Sequence, residues 1–396
     1  MIIYNTTWLE NLHLRTLATI WFKKSLITEE EKTAIEESAP VGFYSPSFWI
    51  SLGLYFFTMV LIFAAIGLVA LFVFAAANGN GEEVIIHIAA FAFAAVCLLM
   101  TEHYKTKQYF FHAGTDNALL WAGLGFLIGN IFAILYQFDY QNEDILLIGY
   151  LLSFIILLWA TVRYADVVVA ISAFIAWFLL IFISATRMGD TAKALLPFIG
   201  LANAVGIYFL AQRLSVGKIK VYWANCLAVT EALALIVAYA SVNYFVVREM
   251  SDAMFDLQLE EGQDIPFAFL FYFFTVGFPA FYIFYGLKLK NRTMLRIGLL
   301  LIAASILTIR QYHSVMPIEI AMTLGGILFL GVSYGLIRFL KTPKNGFTYE
   351  NEDEDNGLMK IEGLVIAQTF GTSTKADNGP GFGGGQFGGG GASETY

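Results

Sequence analysis

Two cysteines, five histidines and a charged fraction of 14% are scant material for chemistry in a chain of 396 residues. Cys97 and Cys226 both fall inside apolar runs, which excludes an external disulfide framework and a metal site built from these thiols alone. They read as small apolar helix residues. The histidines (His13, His87, His103, His112 and His313) are scattered, and His87 and His103 stand at opposite ends of one apolar run, too far apart to share an ion. There is no His-Glu-x-x-His helix and no Gly-x-Ser-x-Gly elbow. Phosphate-cradling loops and paired intramembrane aspartates are missing as well. The sequence therefore reads as non-catalytic, with no cofactor or metal called for. Its basic residues form no stripe that would track a nucleic acid. The first 47 residues lack the basic-then-apolar order of a cleavable signal peptide, and the two halves show no convincing internal repeat.

What is abundant is hydrocarbon. Hydrophobic residues make up 58% of the chain and its mean hydropathy is +0.68. Ten apolar stretches predict spans near 48–76, 84–104, 117–138, 145–162, 167–186, 194–212, 221–247, 265–287, 294–312 and 317–340. Each is long enough to cross a hydrocarbon core of about 30 Å, which takes roughly 20 helical residues. Unpaired backbone in lipid is costly, so the spans must be helices. The expected fold is an all-α polytopic transmembrane bundle, with sequential helices as antiparallel neighbours joined by short connections.

Lys and Arg divide unequally between alternate connections. Seventeen lie before the first span, in the connections on that same side and just after the tenth, against four on the other face: Arg187, Lys193, Arg248 and Arg310. This asymmetry places both termini in the cytoplasm. The four-residue face also carries acidic segments, Asp139 to Asp144 and Glu249 to Asp264.

Three domains follow: a cytosolic amphipathic hairpin (1–47), the bundle (48–340) and a tail (341–396). In the first, Trp8, Leu9, Leu12, Leu17, Ile20 and Trp21 recur at helical spacing. Thr28 and Glu31 form a capping box that starts a second helix, and Pro40 and Pro46 stop it before the first span. The hairpin reads either as a cap packed on the inner membrane face or as a partner-binding module. In the tail, Glu350 to Asp355 is an acidic cluster and Met359 to Phe370 a short alternating segment. Nine glycines in the thirteen residues 379–391 cannot bury enough apolar surface to offset chain entropy, so this end is expected to be disordered.

The run Leu12-His13-Leu14-Arg15-Thr16-Leu17, then Lys24-Ser25-Leu26-Ile27-Thr28-Glu29-Glu30 and Ile35, resembles the N-terminal segment of a bacterial group known as domain of unknown function 2157. In that family a short hairpin precedes many predicted spans. The resemblance covers about a tenth of the chain. It implies a bacterial multipass protein of the inner membrane and brings no substrate or catalytic residue. The ending Phe387 to Ser393 is similar to glycine-rich tails on several bacterial membrane proteins, and it departs from the family's pattern.

Polar residues inside spans are the best functional pointers, because they face the protein interior. Glu231 lies near the middle of the seventh predicted span, on a stripe of Ala224, Ala228, Ala234, Ala238 and Ser241 that lets a neighbouring helix approach. It reads as a proton or cation site, or as a protonated carboxyl donating one interhelical hydrogen bond. Asn130, behind the small-residue pair Gly125 and Gly129, Asn203 behind Pro197 and Gly200, and Asn225 beside Trp223 either line a hydrophilic cavity or hold helices together. Arg310 and Glu319 are expected to form an ion pair clasping the ninth and tenth spans. After the seventh span, Met250, Met254 and Leu257 share one face and Asp252, Asp256 and Glu260 another, the pattern of an interfacial helix.

Two functions fit. One is a non-catalytic membrane protein whose cytosolic ends, residues 1–47 or the tail, engage a protein partner. The other is a secondary transporter or channel for a small solute or ion, with Glu231 as coupling residue.

Overall fold

The computed structural model describes residues 2–76, 82–139, 143–255 and 264–312, with scattered helical positions between Ile320 and Arg338. The tenth predicted span otherwise lies outside the described residues, as do Glu319 and the tail. Among the described residues the architecture is all-α. Two short helices, α1 (Thr6–Lys23) and α2 (Glu29–Ser38), precede α3 (Phe48–Ala76), α4 (Glu82–Lys107), α5 (Thr115–Asp139), α6 (Glu143–Tyr164) and α7 (Val167–Arg187). Then come α8 (Asp190–Leu214), α9 (Gly217–Ala240), α10 (Tyr244–Phe255), α11 (Ala268–Leu289) and α12 (Arg292–Tyr312). Among the described residues nine helices are long and apolar enough to span a bilayer, α3 to α9, α11 and α12.

Each span keeps only 11–39% of its most apolar window buried within the protein. The rest is bare hydrocarbon: Phe56, Phe57, Leu71, Phe209 and Phe273 are all at least 60% exposed. Only lipid solvates such a surface without penalty. The chain is a multipass membrane protein.

Antiparallel neighbours in sequence pack most extensively, α4 on α5, α6 on α7, α8 on α9 and α11 on α12. Fully buried alanines (Ala118, Ala160, Ala204, Ala232 and Ala234) mark the closest approaches, as expected where packing rather than water exclusion joins helices. One core joins α5, α6 and α7 through Leu120, Leu124, Leu157, Tyr164, Val169 and Ala173. A second joins α9, α11 and α12 through Leu235, Tyr239, Tyr282 and Ile297.

Two local features depart from the expected spans. The seventh does not run to Val247: α9 ends at Ala240, and α10 begins at Tyr244. Asn243 makes this break by turning its side chain onto the backbone, its Oδ1 accepting from the Val246 N–H at 3.3 Å. α10 thus includes Met250 and Met254 of the predicted interfacial helix, whereas Asp256, Leu257 and Glu260 lie outside the described residues. α9 is also broken near its start, where Trp223 leaves helical geometry (φ −118°, ψ 23°).

The N-terminal hairpin is a cap on one end of the bundle. The Thr28–Glu31 capping box forms, with the Glu31 N–H donating to Thr28 Oγ1 at 3.2 Å and the Thr28 N–H to Glu31 Oε2 at 2.8 Å. Arg15 of α1 staples the two helices by donating to the Ala39 and Glu36 carbonyls, each at 2.7 Å. Phe43 stacks on Phe111 of the α4–α5 connection at 4.8 Å, and Trp8 meets Phe43 edge-on at 5.2 Å. Tyr222 of α9 donates to Glu10 at 2.6 Å, and the Ile3 N–H to the Arg163 carbonyl at 2.9 Å.

Candidate functional site

Glu231 is half-buried, and its partners define its depth. Gln212, two residues from the end of α8, donates its amide to Glu231 Oε1 at 2.7 Å. Asn291, in the α11–α12 turn, donates to the same oxygen at 3.0 Å and contacts the Tyr208 hydroxyl at 3.4 Å. Asn291 also caps α12, its Oδ1 accepting from the Met294 N–H at 3.0 Å. Glu231 therefore sits level with the capped ends of α8, α11 and α12, rather than midway across. The carboxylate acts as an acceptor that ties α9 to α8 and to the α11–α12 turn.

The three asparagines do not converge on it. Asn130 Oδ1 is 2.6 Å from His87 Nδ1, and its amide donates to the His87 carbonyl at 3.1 Å, which locks α5 to α4. The glycines before it play no part: a Cβ at Gly125 or Gly129 would meet nothing within 4 Å. Asn203 lies on the wall of a cleft of about 560 Å³ between α6, α7, α8 and α9, which Thr230 also lines, and its amide donates to the Ile199 carbonyl at 2.9 Å. Asn225 joins none of these groups. Arg310 is half-buried near the end of α12, and its expected partner Glu319 lies outside the described residues.

A denser polar centre, missed in the sequence, lies beneath the N-terminal cap. Lys105 of α4 and Asp116 of α5 form an ion pair with both side chains at most 1% exposed. The ammonium also donates to the Tyr4 hydroxyl at 2.6 Å, and Asp116 Oδ1 accepts the Ala113 N–H at 2.9 Å. A desolvated pair persists only when it is further hydrogen-bonded, and Tyr4 on the ammonium and the Ala113 N–H on the carboxylate supply such bonds. Burial pushes the Tyr4 phenol up to about 12, so it stays a neutral partner. Beside it His112 is buried, and desolvation, reinforced by the Lys105 charge, pulls its imidazole down to about 3. Its Nδ1 is buried with no hydrogen-bond partner among the described residues.

The backbone bends sharply to build this pocket. Tyr109 and His112 both adopt left-handed conformations, at φ 56° and 52°, and Gly114 sits at φ 93°. A Cβ at Gly114 would fall 2.1 Å from the Ser51 carbonyl oxygen, so only glycine allows α3 and α5 to meet there. Nearby, Asp166 caps α7 through the Val169 N–H at 3.0 Å and accepts from the Trp121 indole at 3.1 Å, with burial raising its carboxyl. Arg163 grips Glu102 with two bonds, 3.0 and 2.8 Å, and the Tyr164 hydroxyl donates to the same carboxylate at 3.1 Å. These groups clamp α4, α5, α6 and α7 at the end that the cap covers. The signal in the sequence was a lysine and an aspartate flanking the aromatic run Tyr109-Phe110-Phe111-His112.

A third buried network joins α9 and the turn after it to α11 and α12. Asn243 donates to the Tyr239 hydroxyl at 2.8 Å and to Thr308 at 3.0 Å, and Ser305 donates to the Thr275 carbonyl at 2.6 Å. Its members satisfy one another, so it specifies helix positions rather than presenting an open site. Among the described residues no group of three His, Cys, Asp or Glu side chains is placed to hold a metal ion.

Comparison of the chain with family models, curated proteins and solved structures gives no significant match. The class of the protein accordingly rests on the fold itself: a multipass helical membrane protein, sealed at one end by its own N-terminal segment.

Proposed function

We propose that this is a non-catalytic protein of the bacterial inner membrane, related to domain of unknown function 2157, with both termini in the cytoplasm. Its capped end and tail engage a protein partner. The observation that carries this reading is the docking of the hairpin. Tyr4, Trp8 and Glu10 fix the hairpin, which Arg15 staples internally, against the bundle end that holds the Lys- and Arg-rich connections. The tip is left facing outward, with Leu26 67% exposed above the acidic first turn Glu29, Glu30 and Glu31. A rigidly held surface binds with less ordering cost than a free peptide. Photo-crosslinking from position 26 in intact cells tests this. One discrete protein adduct, lost when Glu29 and Glu30 are replaced by lysine, is the expected result. Adducts to lipid alone, or no adduct, would contradict it.

A second reading keeps Glu231 as the coupling residue of a secondary transporter or channel. It is favoured by the gathering of Tyr208, Gln212 and Asn291 around one carboxylate. Proton-linked flux in liposomes that disappears in Glu231→Gln supports transport. A reconstituted protein with no flux supports the partner-binding role.

A further inference from the structure

At the end of the bundle opposite the cap, a cleft of about 360 Å³ opens between α7, α8, α9 and α10. Its walls are Phe178, Leu196, Val247, Met250 and Met254, and its mouth carries one charge, Lys193. The cleft exists because of two local choices. Gly200 brings α8 so close to α9 that a Cβ there would lie 2.7 Å from Ser241 Oγ, which closes the floor. Asn243 then breaks the chain after α9, so that α10 crosses as a roof instead of extending the span. α10 is rooted at its start by the Tyr244 N–H donating to Thr275 Oγ1 at 2.9 Å, and it turns its methionines inward. Methionine walls adapt to flexible apolar guests.

We propose that this cleft binds an anionic phospholipid from the surrounding bilayer, with one acyl chain between α7, α8 and α10 and the phosphate at Lys193. A volume of this size suits a ligand rather than a single water. Its apolar walls select hydrocarbon, and the exposed flanks of α7 and α8 show that lipid is the medium beside it. The charge at the mouth selects the headgroup. Lys193 lies in the first turn of α8, at the level where a span meets the headgroups, and its ammonium is 5.8 Å from the Phe255 ring centre, on the roof helix. Its other partner is Asp190, one turn back at 3.4 Å, whose carboxylate is 82% exposed. Lys193 is 24% exposed, but its partner carboxylate stands in water, where an ion pair is worth little, so a phosphate can take over the ammonium while Asp190 turns away. Of the other nearby cations, Arg187 is committed to Asp144.

The test uses the full-length protein in phosphatidylcholine nanodiscs doped with phosphatidylglycerol bearing a nitroxide on one chain. Electron paramagnetic resonance then counts immobilised label per protein, with identically labelled phosphatidylcholine as control. The expected result is one tightly held phosphatidylglycerol per chain beyond the control. Its preference over phosphatidylcholine should fall about fivefold in Lys193→Gln and persist in Lys193→Arg, as suits one basic residue at a membrane surface. Ser251→Phe, which fills the cleft from the roof, should abolish it while the thermal transition is kept. Met254→Trp is the second filling variant if Ser251→Phe fails to fold. Equal immobilisation of the two lipids, or a preference that survives both Lys193→Gln and cleft filling, would overturn the proposal.

Discussion

Lys105 donates a hydrogen bond to the hydroxyl of Tyr4, 101 residues earlier in the chain, at 2.6 Å. The contact joins the N-terminal segment to the end of the second span and leaves both side chains buried. It makes the N-terminal segment part of the bundle.

Removing one member of this centre is therefore expected to cost more than removing two. Lys105→Met strands the Asp116 carboxylate in a dry site and should destabilise the protein by about 3–5 kcal/mol. Lys105→Met with Asp116→Leu should recover most of that loss. Tyr4→Phe, which removes one hydrogen bond to a charged group, should cost about 1.5–3 kcal/mol. Thermal unfolding in detergent orders the three variants.

His112 gives the protein a defined acid sensitivity. Burial holds its imidazole at about 3, below the usual value of 6.5, so the unfolded chain takes up a proton between these limits and the folded one does not. The stability contribution of keeping it neutral is complete above pH 6.5 and declines as pH falls from there toward 3. Asp166, whose carboxyl burial raises, works in the opposite sense at the acid end. Unfolding midpoints of wild type and His112→Gln should thus diverge from their neutral-pH difference below pH 6.5, with the wild type losing stability faster.

Two glycines with nearly the same φ should respond differently to alanine. Gly114 (φ 93°) faces the Ser51 carbonyl, whereas at Gly189 (φ 90°) a Cβ meets nothing within 4 Å. Gly189→Ala carries only the conformational penalty of a backbone region that glycine alone enters freely (φ 90°, ψ −179°), about 1–3 kcal/mol. Gly114→Ala adds a clash with backbone and should lower the yield of folded protein several-fold. Detergent-solubilised, size-excluded yield distinguishes them.

The His87–Asn130 pair reports on helix association in lipid. Asn130→Leu removes both interhelical bonds and should destabilise by about 1–2 kcal/mol, the range for polar pairs between membrane helices. Asn130→Asp, with a carboxylate facing the same His87 carbonyl, should be worse. Chemical unfolding in mixed micelles measures both.

The spans were legible because hydrocarbon thickness fixes their length and lipid forbids anything but helix there. The hairpin was legible too, since Thr28 and Glu31 stand at capping-box spacing. The polar interior was harder. Lys105 counted as one more rim charge, because nothing local tells that Tyr4 and Asp116 will enclose it. Glu231 stood out in its own span, but its depth depends on Gln212 and Asn291, which other elements bring in. The end of α9 was overrun because the stretch from Val242 to Val247 is mostly apolar, and the break is made by Asn243, whose side chain accepts from the Val246 N–H. Gly125 and Gly129 have the spacing of a packing motif, and here that face is open.

The central claim is that the bundle spans the membrane with the hairpin at one end and the α7–α8 turn at the other. Both native cysteines are buried, so added ones report cleanly. Leu26 and Met188 are 67% and 76% exposed, and Leu26→Cys and Met188→Cys can be treated with a membrane-impermeant maleimide in intact cells and in inverted vesicles. The account predicts that Met188→Cys reacts only in cells and Leu26→Cys only in inverted vesicles. Labelling of both from the same side would contradict it.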